Sequence, residues 1–156
     1  MLLASYAGQP FITEIPLPRF DDVPAAPPIA DLSKARIALA TDGGLVPLGN
    51  PDRIENAGAT KWGYYAITGL DSLKAADYEI VHRGYDNAYI AADPNRLVAV
   101  DGMRALEKKG VIGVLHHHYF GTTGLITSAD NAKRMGTEMA RKMREEGVDG
   151  VILTST

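Results

Sequence analysis

With 156 residues and a hydrophobic share of 46%, the chain is long enough for one domain with a buried core. Its net charge of −3 and pI near 5.8 lack the basic excess of a nucleic-acid binder, and no apolar stretch reaches membrane-spanning length. Met1–Ala4 is not the start of a signal peptide, and the absence of cysteine excludes a disulfide framework, a thiolate metal site and a thiol nucleophile within these residues, so a cytoplasmic protein is the expectation.

Residues 1–33 hold six of the nine prolines, among them Pro16, Pro18, Pro24, Pro27 and Pro28. Proline fixes φ and cannot donate to a strand ladder, so this stretch reads as an extended arm, with room for an edge strand at Phe11–Ile15. From Lys34 onward the pattern is that of an α/β domain, 34–156. Ala35–Ala40 predicts a short apolar strand closed by Thr41-Asp42-Gly43-Gly44, and Tyr78–His82 predicts a second. Asp101 caps a helix to Lys109, with Met103 and Leu106 inward and Gly110 as the stop. Val111–Leu115 predicts a third strand. Thr127 or Ser128 caps a longer helix to Glu146, whose apolar positions Ala132, Met135, Met139, Ala140 and Met143 follow helical spacing. Gly147 ends it, and a last strand runs to Leu153. Two successive helix–glycine–strand units predict a three-layer, mainly parallel sheet of Rossmann-like or flavodoxin-like type, incomplete at the C-terminus.

Each predicted strand ends in polar residues: Thr41-Asp42, His82, His116-His117-His118 and Thr154-Ser155-Thr156. Parallel strands would set all four clusters along one rim, where ligands of such sheets bind. The loop Thr41–Arg53 is Gly/Pro-rich, and Gly43 and Gly44 would let backbone amides approach an anion, or serve only as a turn. It is neither a dinucleotide fingerprint nor a P-loop. Strand alternation allows only His116 and His118 to share a site, so a proton-transfer or hydrogen-bonding histidine is favoured over a metal. Asp93-Pro94-Asn95-Arg96 is a turn and cap, Trp62 a core or interface residue, and the methionines core filler.

Several long motifs resemble one family, the selenoprotein subunit of component B of the glycine/sarcosine/betaine reductases. They are Thr41–Pro47, Gly49–Glu55, Lys61-Trp62-Gly63, His82, Gly84-Tyr85-Asp86-Asn87, Asp93–Arg96, Val111-Ile112-Gly113, Gly147-Val148-Asp149 and Val151–Thr156. The D-proline reductase selenoprotein is similar at greater distance. The resemblance covers about residues 34–156. It implies that selenocysteine follows Thr156, then Gly-Thr-Cys-Thr-Arg-Cys, so the chain is expected to stop just before its nucleophile and to be inactive as it stands. In the family, a pyruvoyl group on a partner component B subunit holds the substrate amine as a Schiff base. The selenolate attacks the α-carbon and displaces the amine, selenoprotein A takes over the selenoether, and a thioredoxin system supplies electrons. On this basis His82, Asp86 and His116 are the candidates for orienting substrate or moving protons. Asp42, Gly43, Gly44, Asn50, Tyr85, Asn87, Thr154 and Ser155 are the candidates for binding it, with no metal.

The chain departs from the family pattern in three places. An acidic residue is expected near His117, a Gly-Asn-Gly-type loop near Gly124–Thr127, and glycine at Arg83. Two other readings compete: a non-catalytic assembly module of such a complex, and a His-dependent metal enzyme. An uncovered last strand would favour self-association, so a homo-oligomer is expected.

Overall fold

β1 (Arg36–Thr41) is interior because both of its faces are apolar: Ile37 and Leu39 join one buried cluster, Ala38 and Ala40 another. The computed structural model describes residues 2–12 and 22–156. Around β1 the chain forms α1 (Leu2–Tyr6), β2 (Leu45–Pro47), β3 (Gly63–Ala66), β4 (Tyr78–Ile80), α2 (Ala88–Ala92), α3 (Val100–Lys108), β5 (Val114–Gly121), α4 (Ala129–Glu145) and β6 (Gly150–Thr154). The main sheet has the order β3-β5-β1-β6. β1 is parallel to β5 and to β6, while β3 runs antiparallel to β5. The sheet is therefore mixed with a parallel core. Three parallel strands do not distinguish a Rossmann-like from a flavodoxin-like order.

Helices cover both faces. Met103 of α3 packs with Ile37, Leu39 and Leu115, while Met143 of α4 packs with Ala38, Ala40 and Phe120. The connection β1–α3–β5 steps one way across the sheet and β5–α4–β6 steps back over β1. Crossovers of one hand that step in opposite directions must lie on opposite faces, which is the arrangement here.

Several expectations need correction. The strand at Tyr78–His82 is shorter, Tyr78–Ile80, and pairs antiparallel with β2 in a separate two-stranded sheet. A short apolar run cannot say which sheet it joins; here Val81 N–H donates to Gly44 C=O and ties the segment to the loop after β1. β5 begins at Val114, not Val111, and continues through the three histidines to Gly121. α3 is N-capped by Ala99, with Asp101 inside its first turn, and Leu106 is exposed. In α4 the cap is Ser128, whose side chain accepts from Asn131 N–H, whereas Thr127 Oγ1 donates to Thr123 C=O. Ala132 and Ala140 face solvent, so the packed stripe reduces to Met135, Met139 and Met143. In the proline-rich stretch, α1 is a short exposed helix. Phe11 and Ile12 carry no regular structure, and the rest of the edge strand expected over 11–15 lies outside the described residues.

Candidate functional site

The carboxyl ends of β1, β5 and β6 lie level, because Thr41 pairs with both Gly121 and Thr154. There the backbone turns are laced together. Asp42 N–H donates to Thr154 C=O (3.2 Å), Gly44 N–H to Thr122 C=O (3.0 Å) and Gly124 N–H to Asp42 C=O (2.8 Å). Thr154 Oγ1 donates to Leu97 C=O (2.8 Å), which fixes the end of β6 against the core. Ser155 Oγ donates to Asp42 Oδ2 (2.9 Å), and Tyr85 OH donates to Gly43 C=O (2.9 Å). Six predicted residues, Asp42, Gly43, Gly44, Tyr85, Thr154 and Ser155, thus meet at one rim. A crevice of about 270 Å³ opens beside them, lined by Thr41, Asp42, Thr123, Gly124, Thr127 and Met135 among others.

Two polar atoms at this rim are buried with no hydrogen-bond partner among the described residues: Asp42 Oδ1 and Thr123 Oγ1. Unpaired buried polar atoms are costly, of order 1–3 kcal/mol each, and they concentrate where a ligand completes the site. The threonines Thr122, Thr123 and Thr127 were not among the candidates. A strand read as ending at Leu115 leaves them in an undistinguished loop, whereas β5 runs on to Gly121 and sets them at its carboxyl end.

His82 joins the rim indirectly. It is buried, its ring centroid lies 4.9 Å from that of Tyr85, and its Nδ1 accepts from Gly84 N–H (2.9 Å). Asn87 Nδ2 donates to the His82 carbonyl (3.0 Å). Asn50 instead closes its own loop, donating to Ile54 C=O and accepting from Ile54 N–H at 2.9 Å each. Asn50, His82 and Asn87 border a separate cleft of about 430 Å³. Asp86 is exposed and caps its own turn, accepting from Ala88 N–H (3.0 Å).

His116 is not at the rim, contrary to expectation. It stands opposite Ala38 of β1, and three strand residues at about 3.3 Å each put it roughly 10 Å from Thr41 along the strand. Its Nε2 lies 2.9 Å from Glu146 Oε2, and Tyr64 OH donates to the same carboxylate oxygen. Tyr64 also stacks on His118 at 3.9 Å between centroids and 7° between planes. Burial, then the neighbouring His117, holds His116 and His118 below the ordinary imidazole value. Burial would raise the Glu146 carboxyl, but hydrogen bonds from Lys142 and Tyr64 outweigh it and bring the group down to about 2.

Electrostatics at the rim can be read at Tyr85. Burial, and after it the Asp42 carboxylate, pushes its hydroxyl from 10.0 up to about 12. An ultraviolet titration of the protein minus that of Tyr85→Phe is expected to show one phenol ionising near 12. Asp42→Asn is expected to lower that value without returning it to 10, because burial, the larger cause, remains. An unchanged value in Asp42→Asn would separate the two side chains electrostatically.

In the loop after β5, Ile126 takes φ +47° with its side chain in solvent. A left-handed β-branched residue is unfavourable by about 1–2 kcal/mol. This is the segment where a Gly-Asn-Gly-type loop was expected, a sequence that would carry no such strain.

Comparison with known proteins accounts for the whole chain. The family described as glycine/sarcosine/betaine reductase selenoprotein B matches residues 1–156. The betaine reductase and sarcosine reductase complex component B beta subunits of Peptoclostridium acidaminophilum are each 49% identical over 156 residues, covering 100% of this chain and 36% of each relative. D-proline reductase subunit gamma of Acetoanaerobium sticklandii is 34% identical over 142 residues, covering 85% of this chain and 56% of that relative. The chain therefore spans about a third of the length of the component B relatives it matches. No solved structure matches it significantly. The kinship extends beyond residues 34–156, the range its motifs mark, through the proline-rich N-terminal stretch, and the chain belongs to the glycine/sarcosine/betaine reductase selenoprotein B family.

Proposed function

We propose that this chain supplies the substrate rim of a component B selenoprotein subunit, in a reductase that cleaves the C–N bond of a small amine such as glycine, sarcosine or betaine. The observation that carries the proposal is a coincidence of two things. The family match runs through all 156 residues, and three of the motifs that carry the resemblance, Thr41–Pro47, Gly84–Asn87 and Val151–Thr156, meet at one rim, where Asp42 bonds to Thr154 and Ser155, and Tyr85 to Gly43. The relatives named as component B subunits of betaine and sarcosine reductases support the substrate class.

In this proposal the nucleophile is a selenocysteine following Thr156, delivered to the rim by β6. The selenolate forms a C–Se bond to the substrate α-carbon as the C–N bond breaks, and the nitrogen leaves with the bonding pair. Asp42 carries the negative charge that holds the substrate's cationic nitrogen, with Ser155 fixing one carboxylate oxygen and leaving the other free. His82 and Tyr85 position the Gly43-Gly44 turn rather than reach the substrate. For glycine or sarcosine, whose nitrogen bears an N–H, a pyruvoyl group on a partner component B subunit would supply a carbonyl to engage the amine; the quaternary nitrogen of betaine cannot condense with it and would rely on the Asp42 charge. Selenoprotein A and a thioredoxin system complete the reduction.

The test is expression of the whole polypeptide in its natural gene context with the partner components. Selenium in the purified subunit and amine release that depends on glycine, sarcosine or betaine are expected. Asp42→Asn is expected to lower kcat/KM about tenfold, the worth of one charged hydrogen bond. A natural product that contains no selenium and releases no amine would overturn the assignment.

The proposal includes self-association with a second copy through β6. Among the described residues this strand is an edge of the sheet, and Val151, Ile152 and Leu153 are 49%, 44% and 66% exposed. An apolar edge with open backbone groups pairs readily with a like edge. Sedimentation at micromolar concentration is expected to show a dimer or larger species, and Ile152→Lys a monomer. A wild-type monomer counts against it.

A further inference from the structure

Successive residues of a regular strand point to opposite faces, so three adjacent histidines do not normally converge. β5 breaks that rule. Leu115 pairs with Ile37 and Tyr119 with Leu39, so His116, His117 and His118 together stand opposite Ala38 alone. This is a bulge of more than the usual one residue. β3 pins it: Ala66 pairs with His118, and Ile67 N–H donates to the His117 carbonyl (2.9 Å). The outcome is that one ring nitrogen of each imidazole lies within 4.8 Å of one from each of the other two.

We propose that His116, His117 and His118 form a binding site for a divalent transition metal of the Zn²⁺ class, with three imidazole ligands and a fourth position left to water. Three neutral imidazoles with an open position are a familiar donor set for this ion. His116 is 1% exposed, and its Nε2 is engaged with the Glu146 carboxylate. Metal-bound histidines typically give their other ring N–H to a carboxylate, which fixes the tautomer and leaves the opposite nitrogen to the metal. At His116 that opposite nitrogen, Nδ1, is buried with no partner among the described residues, and Nδ1 of His118 is in the same condition. A metal would satisfy both. Tyr64, stacked on His118 and bonded to Glu146, holds two of the three rings in place before the ion arrives.

The fit is close without being closed. Zn–N bonds of about 2.0–2.1 Å in a tetrahedron set the nitrogens roughly 3.4 Å apart. The nitrogens must therefore draw together by up to roughly 1.4 Å, and the exposed His117 ring is the one freest to rotate. The centre lies away from the rim, so its role is to lock β3, β5 and the end of α4 together, not to enter the reductase chemistry.

The chain, freed of any purification tag and stripped with a chelator, is titrated with Zn²⁺ by calorimetry and with Co²⁺ by visible absorption. Expected are one ion per chain, a tetrahedral Co²⁺ spectrum and a rise in Tm on adding Zn²⁺. His117→Gln tests the ligand set without disturbing the core, since His117 is exposed. Its metal-free Tm should match the wild type, while its Zn²⁺ affinity falls at least tenfold and the Co²⁺ spectrum is lost. Equal Zn²⁺ affinity in wild type and His117→Gln, or no metal-dependent rise in Tm, would overturn the proposal.

Discussion

Gly44→Ala is expected to destabilise the protein by about 3 kcal/mol and to take the rim apart with it. Gly44 has φ +73°, a conformation that costs an L-residue about 1–2 kcal/mol. A methyl group there would also lie 2.7 Å from the backbone nitrogen of His82 and 2.8 Å from its Cβ. Overpacking of this kind typically adds 1–3 kcal/mol. Relief by movement is blocked from both sides, since Gly44 N–H is bonded to Thr122 C=O and Gly44 C=O accepts from Val81 N–H. At roughly 2–4 °C per kcal/mol for a domain of this size, Tm falls by about 6–12 °C. Gly49→Ala is the control: φ is +83°, but nothing lies within 4 Å of the added carbon, so only the conformational cost of about 1–2 kcal/mol applies. Urea unfolding of both variants checks the difference. Equal losses would show that the contact with His82 carries no weight.

That contact also marks the limit of what the sequence makes legible. The apolar runs of β1 and β6, the Ser128 cap and the glycine stops are local signals, and they place the parallel core, the two crossover helices and the level ends that bring Asp42 to Ser155. What depends on distant partners is not local. Tyr78–Ile80 has the composition of a core strand but pairs with β2, because the loop after β1 turns back to meet it. Asp86 and Asn50 are polar residues in rich motifs, yet their side chains close their own turns, as such residues often do. The three histidines read as the polar end of a strand. They lie inside one, because Glu146, thirty positions downstream of His116, reaches back to pair with it and Tyr64 covers His118.

That long-range pair sets the second large effect. Glu146→Ala is expected to cost about 2–3 kcal/mol in the metal-free chain. His116 is almost wholly buried, and with Nδ1 already unpartnered, loss of the Glu146 carboxylate leaves Nε2 with only the long 3.3 Å contact to Tyr64 OH. A buried polar group stripped of its main partner costs about 1–3 kcal/mol, more when that partner is ionised, as the Glu146 carboxylate is. The Tyr64 hydroxyl loses its acceptor in the same step, and Lys142 loses its 2.7 Å ion pair, although the latter is partly exposed and contributes little. One compensation is built in. Tyr64 OH lies 3.3 Å from His116 Nε2, so a tautomer change would let the phenol donate to the ring once the carboxylate is gone. Tyr64→Phe removes that rescue. In a double-mutant cycle measured by urea unfolding, the two substitutions should couple by at least about 0.5 kcal/mol, as expected for neighbours in one network. The sign reports which arrangement holds. Phe at position 64 is more damaging in the Glu146→Ala background if the phenol takes over the imidazole, and less damaging if its only use was the carboxylate. A Glu146→Ala variant within about 0.5 kcal/mol of wild type would mean that His116 is not held by this network at all.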